Sequence, residues 1–579
     1  MHTLGINAAF HDCAAALVCD GRVLAAAEEE RFTRIKHGKR PVPFSTWQLP
    51  YNAIDYCLGE AGIDLRDVDH IAYSFAPRLL QDSLAPDKSI ALPLEPSAAG
   101  HGEGGGSPWD PLFLSYIVNA PRQLADGAPH HLQGRFASAG LDHIMRRWQF
   151  IEHHLAHEAS AFLASPYEET AVLTMDGRGE RASTSYGHFE GGKYRRLRQI
   201  DLPHSLGLLY EDVTRYLGFL HSSDEYKVMA LASYGKPAYM EEFREILRGD
   251  GDGGYTMSPP RLEERFGAPR KKGEEFEDRH MDIAHSLQQV LEETILEMAQ
   301  WLHKETGSSN LCMAGGVALN CVANARLASE GPFQNVWVQP AAGDAGTALG
   351  AALWLDFEQR GNGSRDWSMD HAFLGPGYAD ADIEAFLRRS HVAFRRLKNV
   401  AEQAADLLAQ EKILGWFEGR MEFGPRALGA RSILASPRDP AMQARLNELK
   451  DREDFRPVAP LVIEEQAQEW FDAGAKGTID APFMLFVFDV LKDKADLIPA
   501  VCHIDGTARV QTVNSKQHGL LYDLLRAFEE RTGVPVLVNT SFNTRGEPVV
   551  CSPRDALECF WTSPLDALVI GSYLVEKPR

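Results

Sequence analysis

The stretch from residue 150 to residue 180 constrains the fold more than any other part of the chain. His153 and His157 lie four residues apart in a segment of helical pattern, so a helix places both imidazoles on one face. A short apolar run at 171–175 follows and is typical of a buried β-strand. Asp176 comes directly after this run, at a glycine-rich turn, which is a common position for a functional carboxylate. The sequence therefore predicts a helix and a strand that bring polar side chains together.

Two imidazoles with one or two carboxylates form a donor set that suits Fe(II), Mn or Zn better than Cu(I), because no thiolate is present. The spacing is not that of the zinc proteases, since the residue after His153 is His154 and not Glu. On a helix, His154 points about 100° away from the other two histidines. The alternative interpretation is a partly buried helix whose histidines bond to neighbouring groups. The residues alone leave both interpretations open.

Length and composition narrow the class of protein. A chain of 579 residues with 44% apolar residues is expected to form two to four well-packed domains. A net charge of −22 argues against broad electrostatic binding to nucleic acid or anionic membranes, although it allows a local basic pocket. The eight cysteines form no Cys-x-x-Cys pair. No signal-peptide pattern and no long apolar span is visible, so we expect a cytoplasmic protein.

The N-terminal residues 2–32 have the pattern strand, loop, strand, turn, strand. Asp20-Gly21 is a strong signal for a two-residue hairpin. An opening of this kind also begins actin-like ATP-handling domains, although many α/β proteins share it. His11 and Asp12 lie in the first loop and have either a catalytic role or a turn-forming role; the residues alone favour the turn.

A basic cluster follows this region. It is either a solvated face or a guide for a phosphate-bearing ligand, and the sequence does not decide between them. The cluster consists of Arg34, Lys36, His37, Lys39 and Arg40.

Residues 85–135 are rich in Pro and Gly and interrupt the pattern of helices and strands. This segment is the centre of an insertion at 80–147. We weigh two roles for it equally, a surface excursion and a loop that selects the substrate.

A second glycine-rich element lies between a predicted strand and a predicted helix. Gly316 would let the backbone approach a nucleotide closely, and the amide of Asn320 suits a ribose or base edge. Asp344 precedes a helix of small residues and is either a metal ligand or an ordinary N-cap.

Lys227 precedes an apolar helical run and is either a phosphate ligand or a surface lysine; without further context the surface role is favoured. Residues 250–254 resemble the start of a calcium loop, but Arg261 occupies its twelfth position, so we predict a turn.

The C-terminal part begins after a polar, glycine-rich linker at 358–371. From Arg420 to Arg456 the chain has eight Lys or Arg residues but six Asp or Glu residues, which is unusual in so acidic a protein. Such a pocket points to a small anionic ligand. Two buried strands are predicted at 507–513 and 536–543, and the second ends in hydroxyl and amide side chains that suit a ligand edge.

Taken together, six motifs resemble those of the NodU/CmcH-type O-carbamoyltransferases of secondary metabolism. The resemblance implies an α/β protein with an actin-like (ASKHA) N-terminal domain that has a metal site, at 1–357. It implies a linker at 358–371 and a YrdC-like α/β domain at 372–579. The motifs are His-His-Leu-Ala-His, Met-Asp-Gly-Arg-Gly-Glu, Gly-Gly-Val-Ala-Leu-Asn, Gly-Pro-Arg-Ala-Leu-Gly-x-Arg-Ser, Lys-Asp-Arg-Glu and Asn-Thr-Ser-Phe-Asn-x-Arg-Gly-Glu-Pro.

In the C-terminal domain, the resemblance implies that ATP and carbamoyl phosphate form carbamoyl-adenylate, with Mg(II) allowed as the partner of ATP. Lys450 and Arg426 would be catalytic there. The full matching set is Arg426, Lys450, Arg456, Arg509, Asn539, Ser541 and Asn543.

In the N-terminal domain, the resemblance implies transfer of the carbamoyl group to a hydroxyl beside Fe(II) or another divalent metal. His11 would be the base for the hydroxyl, while Lys227, Gly316 and Asn320 would bind the adenylate. Glu225-Tyr226 departs from the turn that relatives often have before the lysine. The implied metal ligands are His153, His157, Asp176 and Asp344.

The expected partner is a small molecule whose hydroxyl accepts the carbamoyl group. We expect binding to neither nucleic acid nor membranes, and the sequence is compatible with a homodimer. Two alternative functions are compatible with the same motifs: a protein of the tRNA threonylcarbamoylation system and a non-catalytic, actin-like nucleotide-binding regulator. The identity of the acceptor is left open by the sequence.

Overall fold

The computed structural model divides the chain into two compact units, 1–369 and 370–579. The division falls within the range predicted as a linker. Lys39, Arg40, Arg545 and the glycine-rich part of the insertion lie outside the described residues. The structure describes residues 1–38, 49–81, 110–126, 135–136, 139–361, 365, 367–474, 477–544 and 546–577.

The first sheet of unit 1 has five strands in the order β3-β2-β1-β4-β5. Strands β1, β2 and β3 pair antiparallel, whereas β1, β4 and β5 run parallel. Asp20 and Gly21 connect β2 to β3 with φ angles of 48° and 80°, as a type I′ turn requires, so the predicted hairpin is confirmed. The strands are β1 (His2–Asn7), β2 (Ala14–Cys19), β3 (Arg22–Glu28), β4 (His70–Tyr73) and β5 (Trp148–Phe150).

The second sheet of unit 1 repeats this topology. Its order is β12-β11-β6-β7-β8, with β6, β7 and β8 antiparallel and β6, β11 and β12 parallel. The sequence shows no internal repeat, so the duplication is visible only in the strand order. The strands are β6 (Thr170–Met175), β7 (Ala182–Glu190), β8 (Lys193–Asp201), β11 (Asn310–Ala314) and β12 (Asn335–Val338), while β9 (Leu247–Gly249) and β10 (Tyr255–Met257) form a separate hairpin whose turn confirms the turn predicted at 250–254.

Fourteen helices accompany these sheets among the described residues of unit 1. The longest of these helices is α12, with 29 residues. The helices are α1 (Glu30–Thr33), α2 (Tyr51–Ala61), α3 (Pro77–Gln81), α4 (Asp110–Val118), α5 (Ala120–Asp126), α6 (Leu141–Arg147), α7 (His153–Phe162), α8 (Leu206–Tyr216), α9 (Glu225–Ala232), α10 (Met240–Ile246), α11 (Leu262–Phe266), α12 (Asp278–Thr306), α13 (Cys321–Glu330) and α14 (Ala345–Gln359).

Helix α14 is buried along most of its length and packs closely on both β1 and α7. A Cβ atom at Gly350 would lie 1.8 Å from the carbonyl oxygen of Ala156 on α7. A Cβ atom at Gly5 would lie 1.9 Å from the carbonyl oxygen of Ala348. Small residues on both surfaces therefore let the backbones meet, and this packing fixes the start of α14 relative to the start of α7.

Unit 2 contains a mixed eight-stranded sheet in the order β13-β22-β21-β14-β15-β20-β16-β19 and a two-stranded sheet of β17 and β18. Five helices accompany them among the described residues: α15 (Asp380–Arg389), α16 (Val400–Ala409), α17 (Met442–Leu449), α18 (Gly519–Thr532) and α19 (Pro553–Thr562). The strands are β13 (Phe394–Arg396), β14 (Leu414–Phe417), β15 (Arg431–Ala435), β16 (Ala459–Ile463), β17 (Val487–Asp489), β18 (Thr507–Arg509), β19 (Gln511–Val513), β20 (Val536–Ser541), β21 (Ala567–Ile570) and β22 (Tyr573–Glu576). The α/β class is thus confirmed in both units.

The prediction of one strand at 507–513 is wrong. The chain changes sheets at Val510: β18 pairs with β17, whereas β19 pairs with β16 at the edge of the large sheet. No Gly, Pro, Asn or Asp marks the switch within 507–513, so the sequence pattern does not reveal it.

The structure also bears on the membrane question. Within the described residues, no helix combines the length and the apolar character that crossing a membrane requires.

Candidate functional site

The first two residues of the candidate metal centre lie at the start of α7, one helical turn apart. His153 and His157 are fully buried. The Nδ1 atom of His153 lies 3.2 Å from the carbonyl oxygen of Ser74. Because a carbonyl oxygen only accepts hydrogen bonds, Nδ1 carries a proton, and Nε2 is the ring atom that faces the site.

Two carboxylates meet these imidazoles. The Nε2 atom of His153 lies 3.6 Å from Oδ2 of Asp176 and 3.5 Å from Oδ1 of Asp344. The corresponding distances from Nε2 of His157 are 3.9 and 3.6 Å. One ligand atom from each residue lies within 4.8 Å of all the others, so the four predicted metal ligands converge on one point.

The hydrogen bonding of these atoms fits a metal ion. Among the described residues, Nε2 of His153, both ring nitrogens of His157 and both carboxylate oxygens of Asp344 are buried without a hydrogen-bond partner. Leaving a buried carboxylate uncompensated costs several kcal/mol. A divalent cation bound between two nitrogens and two oxygens would remove that penalty, and the donor set suits Fe(II), Mn or Zn.

The charges of the cluster are strongly coupled. Burial opposes the charged form of His153, but Asp344 and Asp176 outweigh it and raise the pKa of this imidazole well above its ordinary value. Burial likewise acts to raise the pKa of Asp176, yet His153 and His157 hold it well below its usual range. Two anionic carboxylates therefore demand positive charge at this point.

Backbone contacts hold the ligands in place. Oδ1 of Asp176 accepts a 2.8 Å hydrogen bond from the backbone N–H of Gly316. Glu180 accepts from the backbone N–H of His153 at 3.0 Å and from that of Ala76 at 2.6 Å. Burial raises the pKa of Glu180 to about 7. Sequence reasoning missed Glu180, although it ends the same motif that contains Asp176.

Asp344 is the residue before α14, where an N-cap was the alternative interpretation. Its side chain accepts no capping hydrogen bond. Its backbone carbonyl oxygen instead accepts a 2.6 Å hydrogen bond from Oγ1 of Thr347. The carboxylate thus turns towards the two histidines and not towards its own helix.

The three predicted adenylate-binding residues are placed differently. Gly316 adjoins Asp176, as described above. The amide of Asn320 exchanges hydrogen bonds of 2.8 and 3.0 Å with Gln288 and also caps α13, so its groups are already used within the protein. Nζ of Lys227 lies 3.1 Å from Asp224 and 5.5 Å from the ring centroid of Phe219. The nucleotide-binding role of these residues stays a prediction.

His11 lies beside the metal centre. Its Nε2 atom is 3.8 Å from Oδ2 of Asp344, and its Nδ1 atom is 2.9 Å from Oδ2 of Asp12. The loop is held by Asn7, whose amide donates to the carbonyl oxygens of His11 and Asp12 at 3.0 and 3.1 Å. Phe10 adopts a φ angle of 55°, which is rare for an aromatic residue. The centroid of its ring lies 5.4 Å from that of the His153 ring.

In unit 2, two buried charges shape the loop between β14 and β15. Oε1 of Glu422 accepts hydrogen bonds from three backbone N–H groups, those of Leu428, Ala430 and Arg431, at 2.7, 2.8 and 3.2 Å. The guanidinium of Arg431 is fully buried and donates to the carbonyl oxygens of neighbouring loop residues. Arg431, one of the eight basic residues counted between 420 and 456, therefore stabilises the loop from inside the protein.

Lys450 gathers two of the other predicted residues. Its Nζ atom lies 2.5 Å from the carbonyl oxygen of Ser541 and 2.7 Å from Oδ1 of Asn543. Oγ of Ser541 in turn donates to Oδ1 of Asn543 at 2.7 Å. The ammonium group is thus fixed at the end of β20 by oxygens of the same short segment.

Asn539 supports the loop that contains Arg426. Its Nδ2 atom donates to the carbonyl oxygen of Ala427 at 3.0 Å and to Oε1 of Gln511 at 2.8 Å. Gln511 donates to the carbonyl oxygen of Leu428 at 2.8 Å. Sequence reasoning missed Gln511, which lies in the segment that was predicted as one strand but forms two.

The remaining arginines lie at the edges of this region. Arg426 and Arg509 are half-buried. Nη1 of Arg456 is 3.6 Å from Oε2 of Glu453. The carbonyl oxygen of Arg456 accepts a hydrogen bond from the side-chain amide of Asn447, which lies on α17 three residues before Lys450. The ligand-binding roles of all seven residues stay predictions.

Comparison with known proteins was made on the whole chain. The carbamoyltransferase N-terminus model matches residues 2–353, and the carbamoyltransferase C-terminus model matches residues 405–577. A protein of Synechocystis, sll1178, is 40% identical across 100% of this chain and 97% of its own length. Nodulation protein NolNO of Sinorhizobium fredii is 39% identical across 99% of this chain and 80% of its own, and nodulation protein U of Rhizobium fredii is 38% identical across 95% and 91%.

Solved structures give weaker matches. Component A of the (R)-2-hydroxyglutaryl-CoA dehydratase of Acidaminococcus fermentans aligns with 62% of this chain and 99% of its own. With 14% identity and a TM-score of 0.34, this match is too low to carry an argument. The models and the relatives cover both units, and on that ground the chain belongs to the carbamoyltransferase family of enzymes.

Proposed function

We propose that this carbamoyltransferase is an ATP-dependent O-carbamoyltransferase with two linked half-reactions. Unit 2 makes carbamoyl-adenylate from carbamoyl phosphate and ATP, and unit 1 transfers the carbamoyl group to a hydroxyl of a small natural product. The observation that carries the proposal is the convergence of His153, His157, Asp176 and Asp344 in unit 1 of a carbamoyltransferase. The repeated sheet topology of that unit supports an actin-like domain.

The first half-reaction is placed around Lys450. Water cleaves carbamoyl phosphate to carbamate and phosphate, and a carbamate oxygen then attacks the α-phosphorus of ATP while pyrophosphate leaves. The ammonium group of Lys450 stabilises negative charge on the phosphates, and Arg426 offers a planar bidentate contact. Asn539 and Gln511 hold the loop of Arg426 in position. Mg(II) accompanies ATP.

The second half-reaction is placed beside His11. Its imidazole accepts the proton of the acceptor hydroxyl as the oxygen bonds to the carbamoyl carbon and AMP leaves. A bound divalent metal, proposed as Fe(II), supplies Lewis-acid stabilisation of developing negative charge. His153, His157, Asp176 and Asp344 hold that ion, while Glu180 keeps the start of α7 in register with the turn after β6.

The partner class is a hydroxylated small molecule, and no nucleic acid is required. A member of the tRNA threonylcarbamoylation system would instead bind tRNA in a salt-sensitive way. Titration of the full chain with tRNA at two salt concentrations separates these alternatives.

The proposal is tested with metal-loaded full-length protein. We expect pyrophosphate release that requires both ATP and carbamoyl phosphate, and we expect Lys450→Ala to abolish it. Arg438→Ala is the matched control, because Arg438 lies in the same basic stretch but pairs with Glu411 at 2.6 Å. No release from loaded wild-type protein would refute the first half-reaction.

A further inference from the structure

The carboxylate of Asp12 lies between two imidazoles that are distant in sequence. Oδ2 of Asp12 is 2.9 Å from Nδ1 of His11, and Oδ1 is 2.9 Å from Nδ1 of His37. The three side chains form a continuous line of hydrogen bonds that ends at His11, 3.8 Å from Asp344.

This line fixes which nitrogen of each ring faces Asp12. Burial acts to raise the pKa of Asp12, but His37 and His11 outweigh it and hold the pKa well below its usual range. An anionic carboxylate only accepts, so Nδ1 of each ring must donate. With Nδ1 bonded to Asp12, Nε2 is the ring atom that His11 turns towards the metal centre. The tautomer selected in this way is the one in which a neutral imidazole can act as a base at Nε2.

His37 is itself held rigidly. Its backbone N–H donates to Oε2 of Glu30 at 2.6 Å, and its carbonyl oxygen accepts from the backbone N–H of Asp12 at 3.3 Å. Its Nε2 atom is buried and has no hydrogen-bond partner in the described chain, so Asp12 is the side chain to which the imidazole is bonded. Asp12 and His37 both adopt left-handed φ angles, 51° and 57°.

A left-handed backbone at two bonded residues is more than a turn requires. Strained residues persist where surrounding contacts hold them, and they cluster at functional sites. The side-chain and backbone bonds between Asp12 and His37 run in both directions, so each residue fixes the orientation of the other.

We propose that His37 is a positioning residue: through Asp12 it locks His11 in the tautomer that presents Nε2 to the metal centre. The proposal rests on the proposed role of His11 as the base, but the geometry of the line is independent of that role. The same Asp12, His37 and Glu30 also meet the geometric criteria for a second metal site, which the experiment below distinguishes.

The experiment uses full-length protein labelled with ¹⁵N-histidine and loaded with Zn(II), and it follows the ring nitrogens of His11 by NMR. The His11→Gln variant assigns the resonances. In the wild type we expect Nδ1 at the shift of a protonated nitrogen and Nε2 at that of an unprotonated one. In His37→Ala we expect both shifts to move towards averaged values, as two tautomers exchange.

Three variants complete the design. Asn places its amide N–H close to the position of Nδ1, so His37→Asn should restore the wild-type shifts. Asp12→Ala should reproduce the averaging. His188→Asn is the matched control, because His188 makes a similar 2.6 Å bond to Glu169 in the second sheet, and it should leave His11 unchanged.

The outcomes separate this inference from the proposed function. Averaging in His37→Ala with one Zn(II) bound per chain supports the positioning role, whether or not pyrophosphate is released. A single, unchanged tautomer of His11 in His37→Ala would overturn it. A second Zn(II) bound in the wild type and lost in His37→Asn would also overturn it, in favour of a metal site at Asp12.

Discussion

The two predicted sites differ in how many of their polar side-chain atoms form hydrogen bonds with the rest of the protein. In unit 1, atoms of His153, His157 and Asp344 are buried, have no hydrogen-bond partner among the described residues and converge on one point. In unit 2, Lys450 is already bonded to Ser541 and Asn543. The first arrangement is organised for one compact cation. The second must exchange internal hydrogen bonds for those of its ligand. The geometry of a candidate metal site can therefore be read from the unliganded fold, whereas a candidate anion site of the second kind shows only the groups that hold its side chains in place.

The largest effect is expected from removing a metal ligand. Asp344→Asn removes one anionic donor, so affinity for Zn(II) or Fe(II) should fall by more than the roughly 10- to 100-fold that is typical of an outer-shell change. Metal content after dialysis measures this. Asp356→Asn is the matched control, because Asp356 lies on α14, the helix that begins directly after Asp344, and pairs with Arg360 at 2.6 Å. Full metal loading of Asp344→Asn would break the contrast between the two units.

Metal removal gives the next effect. A ligand present at 100 times its Kd stabilises the folded state by about 2.7 kcal/mol. A chelator should therefore lower the thermal midpoint of the wild type but leave that of Asp344→Asn unchanged. Differential scanning calorimetry of both proteins, with and without chelator, checks this. An equal decrease in both proteins would mean that the stabilising ion binds elsewhere.

These contrasts also explain what the sequence could predict. The spacing of His153 and His157 and the apolar run before Asp176 are local patterns, and the structure has the predicted helix and strand there. The pairing of His37 with Asp12 and that of Gln511 with Asn539 were missed because the paired residues lie 25 and 28 positions apart, and no local period records such a pairing. The sheet switch at Val510 was missed because no turn residue interrupts 507–513.

A smaller effect is expected at Glu180, which supports the metal ligands without touching the ion. Glu180→Gln leaves one side-chain oxygen to accept hydrogen bonds from the backbone N–H groups of Ala76 and His153. The start of α7 is then held less firmly in position. Metal affinity should fall by about 10-fold, the lower end of outer-shell effects. Calorimetric titration with Zn(II) measures it. Glu169→Gln, which contacts His188 on the same sheet, should leave the affinity unchanged.

The smallest effect tests whether unit 2 is held by mutual support. Asn539→Ala and Gln511→Ala each remove part of one network that fixes the carbonyl groups of Ala427 and Leu428. Each should cost about 1–3 kcal/mol of unfolding free energy, because a buried partner loses its hydrogen bond. If the amides act as one unit, the double variant should cost less than the sum of the two. Urea unfolding gives these values, and the KM for ATP in pyrophosphate release should rise in the same order. Additive costs with an unchanged KM would mean that the two amides act separately and that the loop of Arg426 is positioned by Glu422 and Arg431 instead.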